Sequence, residues 1–309
     1  MGVHSESALS EAYNLIENGA PSQAKLLLED ALTADLDNDI LVFAIHCCSF
    51  WADTFSGSEN LSPFEKGEML VNKWKKFRML VNKEKEPDEQ TVYAFRKGIF
   101  TYALSQFMAS SSEKDAALNC EIFRKAGLCH KRLGNYQAAL ECLNKANSIM
   151  PSQAAVLAEL ADCYDLCGEQ KFAKLMFREA FFTDAQKIEL ANLDSPLIHS
   201  LEEKVEQEGY SGEEVLEWIP IYGIFLDVLN IKRPLRAQEA GRLKQDIYAR
   251  ENELKNPANN SKIIKPRLIT MYLRLIDHYI LTKENIKRIK EITLKIKLLD
   301  PELYKKFVE

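Results

Sequence analysis

The chain has little glycine and little proline, the two residues that most often interrupt helices: 12 glycines and 10 prolines among 309 residues. It also has no convincing run of alternating apolar and polar residues, which would predict half-buried strands. No window of about 18 apolar residues exists, so no membrane-spanning helix is expected. The segment 1–6 has neither the basic region nor the apolar run of a secretory signal. We therefore expect a helical protein with no membrane among its partners.

The motifs that usually carry chemistry are also missing. The sequence contains no Gly-rich phosphate loop, no G-x-S-x-G, no H-E-x-x-H and no Cys or His spacing typical of zinc. We therefore expect no enzymatic activity, no catalytic residues, no cofactor and no metal site. A site assembled from residues far apart in the sequence is the alternative, which motifs alone do not address.

The seven cysteines are odd in number and fall in segments with helical periodicity. Cys163 and Cys167 lie one helical turn apart, a spacing that can seat a metal, but two further ligands would be needed. The alternative, which we prefer, is that the thiols act as small buried apolar groups. Unpaired thiols are typical of a reducing compartment, so we expect a cytoplasmic protein.

The formal net charge of −6 is mild and argues against a protein that binds nucleic acid over its whole surface, but the charge is unevenly distributed. Residues 1–60 hold one Lys and ten acidic residues, and residues 186–230 hold two Lys and ten acidic residues. Residues 231–309 hold nineteen Lys or Arg and ten acidic residues. Such blocks can steer charged partners. They can also complement each other within one chain or between copies, or be solvated faces.

Between Cys120 and Ala185 the sequence repeats itself with a period of 34 residues. Glycine or alanine recurs unchanged at three of the corresponding positions. The matched positions are Phe123 and Leu157, Ala126 and Leu160, Gly127 and Ala161, His130 and Tyr164, Gly134 and Gly168, Ala139 and Ala173, Leu143 and Phe177, and Ala146 and Ala180.

Each repeat unit predicts two helices joined by a short turn. In the first unit, apolar or small residues three to four apart predict a helix over 120–133. Gly134 ends this helix, because glycine tolerates the left-handed conformation. A second helix is predicted over 136–150 and stops before Pro151. The small residues predict a close approach of the two helices, and the large ones fill the space between neighbours.

These residues resemble the tetratricopeptide repeat over 120–185. The first unit reads F-x2-A-G-x2-H…G-x-Y-x2-A-x3-L-x2-A…P, and the second reads L-x2-L-A-x2-Y…G-x4-A-x3-F-x2-A. The second unit departs from the family pattern, since Gln170 replaces the usual aromatic residue and Ala185 replaces the closing proline. The resemblance implies an all-α fold, a right-handed α–α superhelix, in which the first helices of the units line a concave groove.

Outside this pair the period weakens. Residues 5–38 resemble a degenerate unit and residues 266–303 a weaker one, whereas 56–118 and 186–265 indicate irregular helices. We therefore expect a solenoid with irregular helix pairs at its N- and C-terminal sides, divided into 1–119, 120–185 and 186–309, and basic from 231. Two local expectations are a helix over about 186–207 and a capping box of Ser211 and Glu214.

The resemblance implies that partner-binding residues lie on the side of each first helix that faces away from the second helix. This side lines the groove, where a peptide or a helix docks. The candidates are Glu121, Arg124, Leu128, Lys131, Asp162 and Asp165. The family's clamp for the carboxylate tails of chaperones needs Lys or Arg followed four residues later by Asn or Arg. Here the residue four positions after Arg124 is Leu128, so we do not expect a chaperone tail as the ligand.

The expected function is therefore that of a cytoplasmic adaptor that binds a peptide or helix of a protein partner. The alternative is a regulator that binds nucleic acid or another polyanion through the basic region 231–309. Self-association through the oppositely charged blocks is left open as a further alternative.

Overall fold

The computed structural model describes residues 3–58, 60–110 and 115–307, and all regular structure in these ranges is helical. The chain is thus all-α. Its helices form two compact units, Met1–Met150 and Pro151–Glu309, which we call the N-terminal and C-terminal units. The boundary falls between the two repeat units, whereas the sequence predicted regions 1–119, 120–185 and 186–309. None of the helices in the described ranges combines the length and apolarity needed to cross a membrane.

The described part of the N-terminal unit consists of helices that pack mainly on their neighbours in the chain. The helices are α1 (Val3–Glu17), α2 (Pro21–Ala34), α3 (Asp39–Ser56), α4 (Pro63–Val81), α5 (Glu89–Ala109), α6 (Ala116–Arg132) and α7 (Tyr136–Ile149). Each helix contacts the next one in the chain, and α1 also packs on α3 and α5.

The contact between α1 and α5 is a close approach of two backbones at Gly98. A Cβ atom added to Gly98 would lie 2.2 Å from the carbonyl oxygen of Ile16, so the approach requires glycine. Asp88, the N-cap of α5, strengthens the same contact. Its carboxylate accepts hydrogen bonds from the backbone N–H of Thr91 at 2.7 Å and from the hydroxyl of Tyr13 on α1 at 2.9 Å. In a regular solenoid each repeat packs only on its neighbours in the chain, so the contact between α1 and α5 is a departure from that arrangement.

A cluster of aromatic rings fills the space between α3, α4 and α5. The ring centroid of Trp51 lies 5.5 Å from that of Phe77 and 6.4 Å from that of Phe95, and Trp74 lies 5.2 Å from Phe100. All five rings are buried. Trp74 and Phe77 belong to the lysine-rich helix α4, so these two aromatic residues form core, whereas none of the lysines of that helix is buried.

The C-terminal unit contains a regular helix pair followed by a less regular set. Two short 3-10 turns, Ala185–Lys187 and Leu190–Asn192, separate the two parts. The helices are α8 (Ala154–Leu166), α9 (Gln170–Asp184), α10 (Pro196–Gln207), α11 (Glu213–Phe225), α12 (Ala237–Leu254), α13 (Ser261–Leu281), α14 (Ile286–Leu299) and α15 (Pro301–Phe307). Helix α13 packs on α9, α11, α12 and α14, and therefore forms the centre of this unit.

The two repeat units form helix hairpins, α6–α7 in the N-terminal unit and α8–α9 in the C-terminal unit, as the period predicts. Their turns have the same geometry. Gly134 has φ 79° and Gly168 has φ 80°, and the N–H of each glycine donates at 2.9 Å to the carbonyl three residues earlier. In the first hairpin, a Cβ atom at Gly127 would lie 2.6 Å from Cγ of Leu143, which confirms the predicted close approach.

Two local predictions in the C-terminal unit are wrong. The expected helix over 186–207 exists only from Pro196, because the ring of a proline disfavours helical conformation in the residue before it. The expected capping box of Ser211 and Glu214 does not form. Gly212 occupies the N-cap position of α11 with φ 63° and without a side-chain hydrogen bond to the helix.

Most of the cysteines are buried, as the preferred interpretation predicts. Cys142 is half-buried and Cys167 is exposed, and none of the seven cysteines forms a disulfide. Burial raises the pKa of Cys48 to about 12, so this thiol stays protonated and unreactive at neutral pH. The buried cysteines are Cys47, Cys48, Cys120, Cys129 and Cys163.

Candidate partner-binding surfaces

The candidate groove residues of α6 are held by contacts within the N-terminal unit. Arg124 donates hydrogen bonds to Glu121, from Nε at 2.8 Å and from Nη2 at 2.5 Å. The Nζ atom of Lys125 lies 2.6 Å from a carboxylate oxygen of Glu68 on α4 and 3.7 Å from Glu121. Burial opposes ionisation of Glu121, but the hydrogen bonds and charges of Arg124 and Lys125 outweigh it and lower the pKa of this carboxyl.

The other two candidates on α6 are also enclosed. Leu128 belongs to the apolar core of the N-terminal unit. Lys131 is buried in the last turn of α6, where a cation interacts favourably with the negative end of the helix dipole. Among the four candidates on α6, Glu121 alone keeps a partly exposed side chain.

The candidate residues of α8 anchor the start of α10 within the C-terminal unit. Oδ1 of Asp162 accepts hydrogen bonds from the backbone N–H groups of Asp194 at 2.8 Å and Ser195 at 2.7 Å. The hydroxyl of Ser195 donates to Asp165 at 2.5 Å. The N–H groups at a helix N-terminus lack partners within the helix, and a carboxylate both satisfies them and matches the dipole. The face of α8 assigned to a groove is thus covered, in part, by the chain itself.

A signal for this contact is present in the sequence. Ser195 followed by Pro196 is the pattern of an N-cap and a first helical residue, and it predicts the start of α10. The identity of the acceptor was not predictable, because Asp162 lies 33 residues before Ser195 and on another helix.

A network of ion pairs centred on Glu179 joins α9 to α13 and to the segment before α12. Oε2 of Glu179 accepts from Arg233 at 2.6 Å and from Arg274 at 3.0 Å. Arg233 also makes two hydrogen bonds of 2.9 Å to the carboxylate of Glu239. The hydrogen bond to Glu239 raises the pKa of Arg233, whereas burial lowers the pKa of Arg274.

A second part of the same network is more deeply buried. Arg178 on α9 donates to Asp277 on α13 and to the carbonyl of Leu229. Nζ of Lys232 lies 2.9 Å from the other oxygen of Asp277. Burial lowers the pKa of Arg178, and Asp277 counteracts this effect. Since arginine keeps its charge in proteins, the carboxylate offsets the cost of removing the guanidinium from water.

A polar cleft of about 300 Å³ lies beside this network, between the end of α9 and helices α11, α12 and α13. Arg267 in its wall donates to Glu217 at 2.6 Å and to Asp184 at 3.3 Å, and Arg250 pairs with Glu253. These five side chains are two cations and three carboxylates, and Asp246 also lines the cleft, so its wall has a small excess of negative charge. No group of three or more His, Cys, Asp or Glu side chains in the described ranges is placed to hold a metal ion.

No protein-family model matches the sequence, and no curated protein sequence matches it significantly.

Proposed function

We propose that this protein is an interaction scaffold of the tetratricopeptide-like solenoid type, an adaptor that binds a peptide or helix of a partner protein and performs no chemistry of its own. The observation that supports this most is the equivalence of the two hairpins. They lie 34 residues apart, turn on glycines with nearly identical φ angles, and make the same backbone hydrogen bonds at the turn. The cysteines, none of which forms a disulfide, support a cytoplasmic location.

Only two of the six candidate groove residues have side chains that a partner could reach. Glu121 on α6 and Asp165 on α8 are the candidate groove residues whose side chains remain partly exposed. Arg124, Leu128, Lys131 and Asp162 support the fold around them instead. A partner would therefore contact Glu121 in the N-terminal unit or Asp165 in the C-terminal unit, while the other candidates of that unit hold the helix in place.

The alternative proposal, binding of nucleic acid through 231–309, has less support. Counterion release requires cations that are available to phosphate, and many cations of this region already bind carboxylates. Arg267 binds Glu217, Lys262 binds Glu214 at 2.8 Å, and Lys306 binds Glu208 at 2.6 Å. A cation paired with a carboxylate is partly neutralised, so these pairs weaken the attraction of the region for phosphate.

Site-specific photocrosslinking tests the proposed function. A photoreactive phenylalanine analogue at position 121 or 165, in the full chain in living cells, is expected to capture a discrete protein partner. The matched controls carry the same analogue at Glu141 or Lys171, which are exposed on the second helices α7 and α9. The expected result is a crosslinked band from 121 or 165 and none from 141 or 171.

Capture from the control positions alone, or equally from all four positions, would show that the first-helix face is not the binding surface. Capture of nucleic acid rather than protein, removed by nuclease treatment, would favour the polyanion alternative.

A further inference from the structure

Helix α14 presents an outward face on which aliphatic and cationic side chains alternate. Ile286 is 64% exposed, Leu294 is 56% exposed and Leu298 is 76% exposed. At 100° per residue, these three side chains and those of Lys287 and Lys290 fall within about one third of the helix circumference. The opposite side of α14 faces the unit, with Ile296 buried and Ile289 and Ile292 half-buried. Helix α14 therefore packs an apolar side against the unit and exposes both apolar and basic side chains on its outward side.

The two lysines of this face are available to a partner. Both are exposed, and no carboxylate of the described residues forms an ion pair with Lys287 or Lys290. Their neighbours differ in this respect, since Arg288 binds Glu284 at 3.0 Å and Lys295 binds Glu251 at 2.6 Å. We call the face formed by Ile286, Lys287, Lys290, Leu294 and Leu298 the basic edge.

A complementary face occurs on α2 and the turn that follows it. Leu26 is 68% exposed and Leu36 is 75% exposed, the latter among the most exposed large apolar side chains in the described ranges. Asp30 and Asp37 lie beside them in the sequence, are exposed, and form no ion pair with a described residue. Leu26 and Asp30 lie one turn apart on α2 and therefore on one side of it, and Leu36 and Asp37 follow in the turn after α2. We call these four exposed residues the acidic edge.

We propose that the basic edge of one copy binds the acidic edge of a second copy, so that the protein assembles head to tail. When the two edges bind, the aliphatic side chains on both are removed from water, and the lysines of one attract the aspartates of the other. A nucleic acid would match the lysines but would leave Leu294 and Leu298 exposed, whereas the acidic edge matches both features. Because the two faces differ, the contact is heterologous, and each copy keeps one unused edge for the next.

The small size of both edges makes this contact weak and dependent on salt. Contacts of this kind are at the low end of protein interfaces in area, and screening weakens the attraction between the exposed charges. The assembly is expected at roughly 100 µM protein in about 50 mM salt and is expected to dissociate at about 500 mM salt.

Sedimentation velocity on the full chain tests the proposal. The weight-average sedimentation coefficient of the wild type should rise with protein concentration at low salt and fall to the monomer value at high salt. Lys287→Glu/Lys290→Glu and, separately, Asp30→Lys/Asp37→Lys should each weaken association by at least about tenfold, because like charges then face each other. A wild type that stays monomeric at low salt overturns the proposal.

Mixing the two variants provides the sharper measurement. The reversed basic edge of one variant complements the reversed acidic edge of the other, so an equimolar mixture should regain association close to that of the wild type. The matched control, Lys171→Glu/Lys187→Glu, reverses two exposed lysines elsewhere in the C-terminal unit and should associate like the wild type. Failure of the mixture to associate, or equal loss in the control, shows that these two edges are not in contact.

Discussion

The two units are stabilised in different ways. The N-terminal unit has at its centre a cluster of aromatic rings contributed by three successive helices, α3, α4 and α5. The C-terminal unit has a core of mixed aliphatic and aromatic side chains around α13. Beside it lies a network of arginines and carboxylates that joins segments 50 to 99 residues apart. The first arrangement gains stability from burial of apolar area alone. The second gains stability only while each buried charge keeps its partner.

This difference predicts different responses to mutation, and the largest effect is expected in the aromatic cluster. Phe77→Ala removes a fully buried ring in contact with Trp51 and Phe95. We expect a loss of about 4 kcal/mol in the free energy of unfolding of the N-terminal unit, from lost apolar burial and the cavity left behind. Hydrogen exchange of α3, α4 and α5, read by mass spectrometry, measures the loss.

Met79→Ala on the same helix is the matched control, because Met79 is an exposed large side chain. Its cost should stay within about 0.5 kcal/mol. Comparable costs at positions 77 and 79 would refute the role of the aromatic cluster.

The second prediction concerns the buried charges of the C-terminal unit. Asp277→Ala leaves the guanidinium of Arg178 buried without its carboxylate, and we expect a loss of about 3 kcal/mol. The double variant Arg178→Met/Asp277→Leu removes both charges and should be more stable than the single variant Asp277→Ala. Hydrogen exchange of α9 and α13 measures both effects. If the double variant is as unstable as the single one, packing volume rather than an unpaired charge is the cause.

The contrast between the units also explains which features were predictable. The helix hairpins, the turn glycines Gly134 and Gly168 and the close approach at Gly127 depend on residues near each other in the sequence, and periodicity predicts them. The start of α4 is also local. Ser62 and Glu65 exchange hydrogen bonds across the N-terminus, with Pro63 as the first helical residue.

Features that depend on distant residues were not predictable. Asp162 was assigned to a groove, yet its partners are backbone groups of Asp194 and Ser195, and nothing at position 162 indicates them. Arg178 meets Asp277 across 99 residues. Helical periodicity indicates which side of a helix is buried, but it does not indicate which element covers that side. For this reason only the contacts show that, of the six candidates, Glu121 and Asp165 keep partly exposed side chains.

A third prediction tests the contact between α1 and α5, where backbones rather than side chains meet. Gly98→Ala places a methyl group against the carbonyl of Ile16 and should cost about 2 kcal/mol, since the two helices must move apart. The same substitution at Gly241 in α12 meets open space and should stabilise the protein by roughly 0.5 to 1 kcal/mol, because alanine favours helix. Thermal unfolding of the two variants compares them directly. Effects of the same sign would contradict the close approach at Gly98.

The smallest effect is expected from acid, and it separates the network of the C-terminal unit from its apolar core. Hydrogen bonds from Arg233 lower the pKa of Glu239 to about 2 from an ordinary value of 4.5, with burial opposing them. A carboxyl whose pKa is lowered by folding stabilises the protein above its unfolded pKa, and this contribution disappears as the pH falls from about 4.5 toward 2. Because Glu239 is partly exposed, we expect its charge to contribute less than about 1 kcal/mol to the free energy of unfolding. Urea unfolding, followed by circular dichroism, should therefore show that Glu239→Gln is less stable than the wild type at pH 6 and that the difference shrinks until the two are nearly equal at about pH 2. A difference that does not change with pH would mean that Glu239 stabilises α12 through its shape and neutral hydrogen bonds, and that its charge contributes nothing.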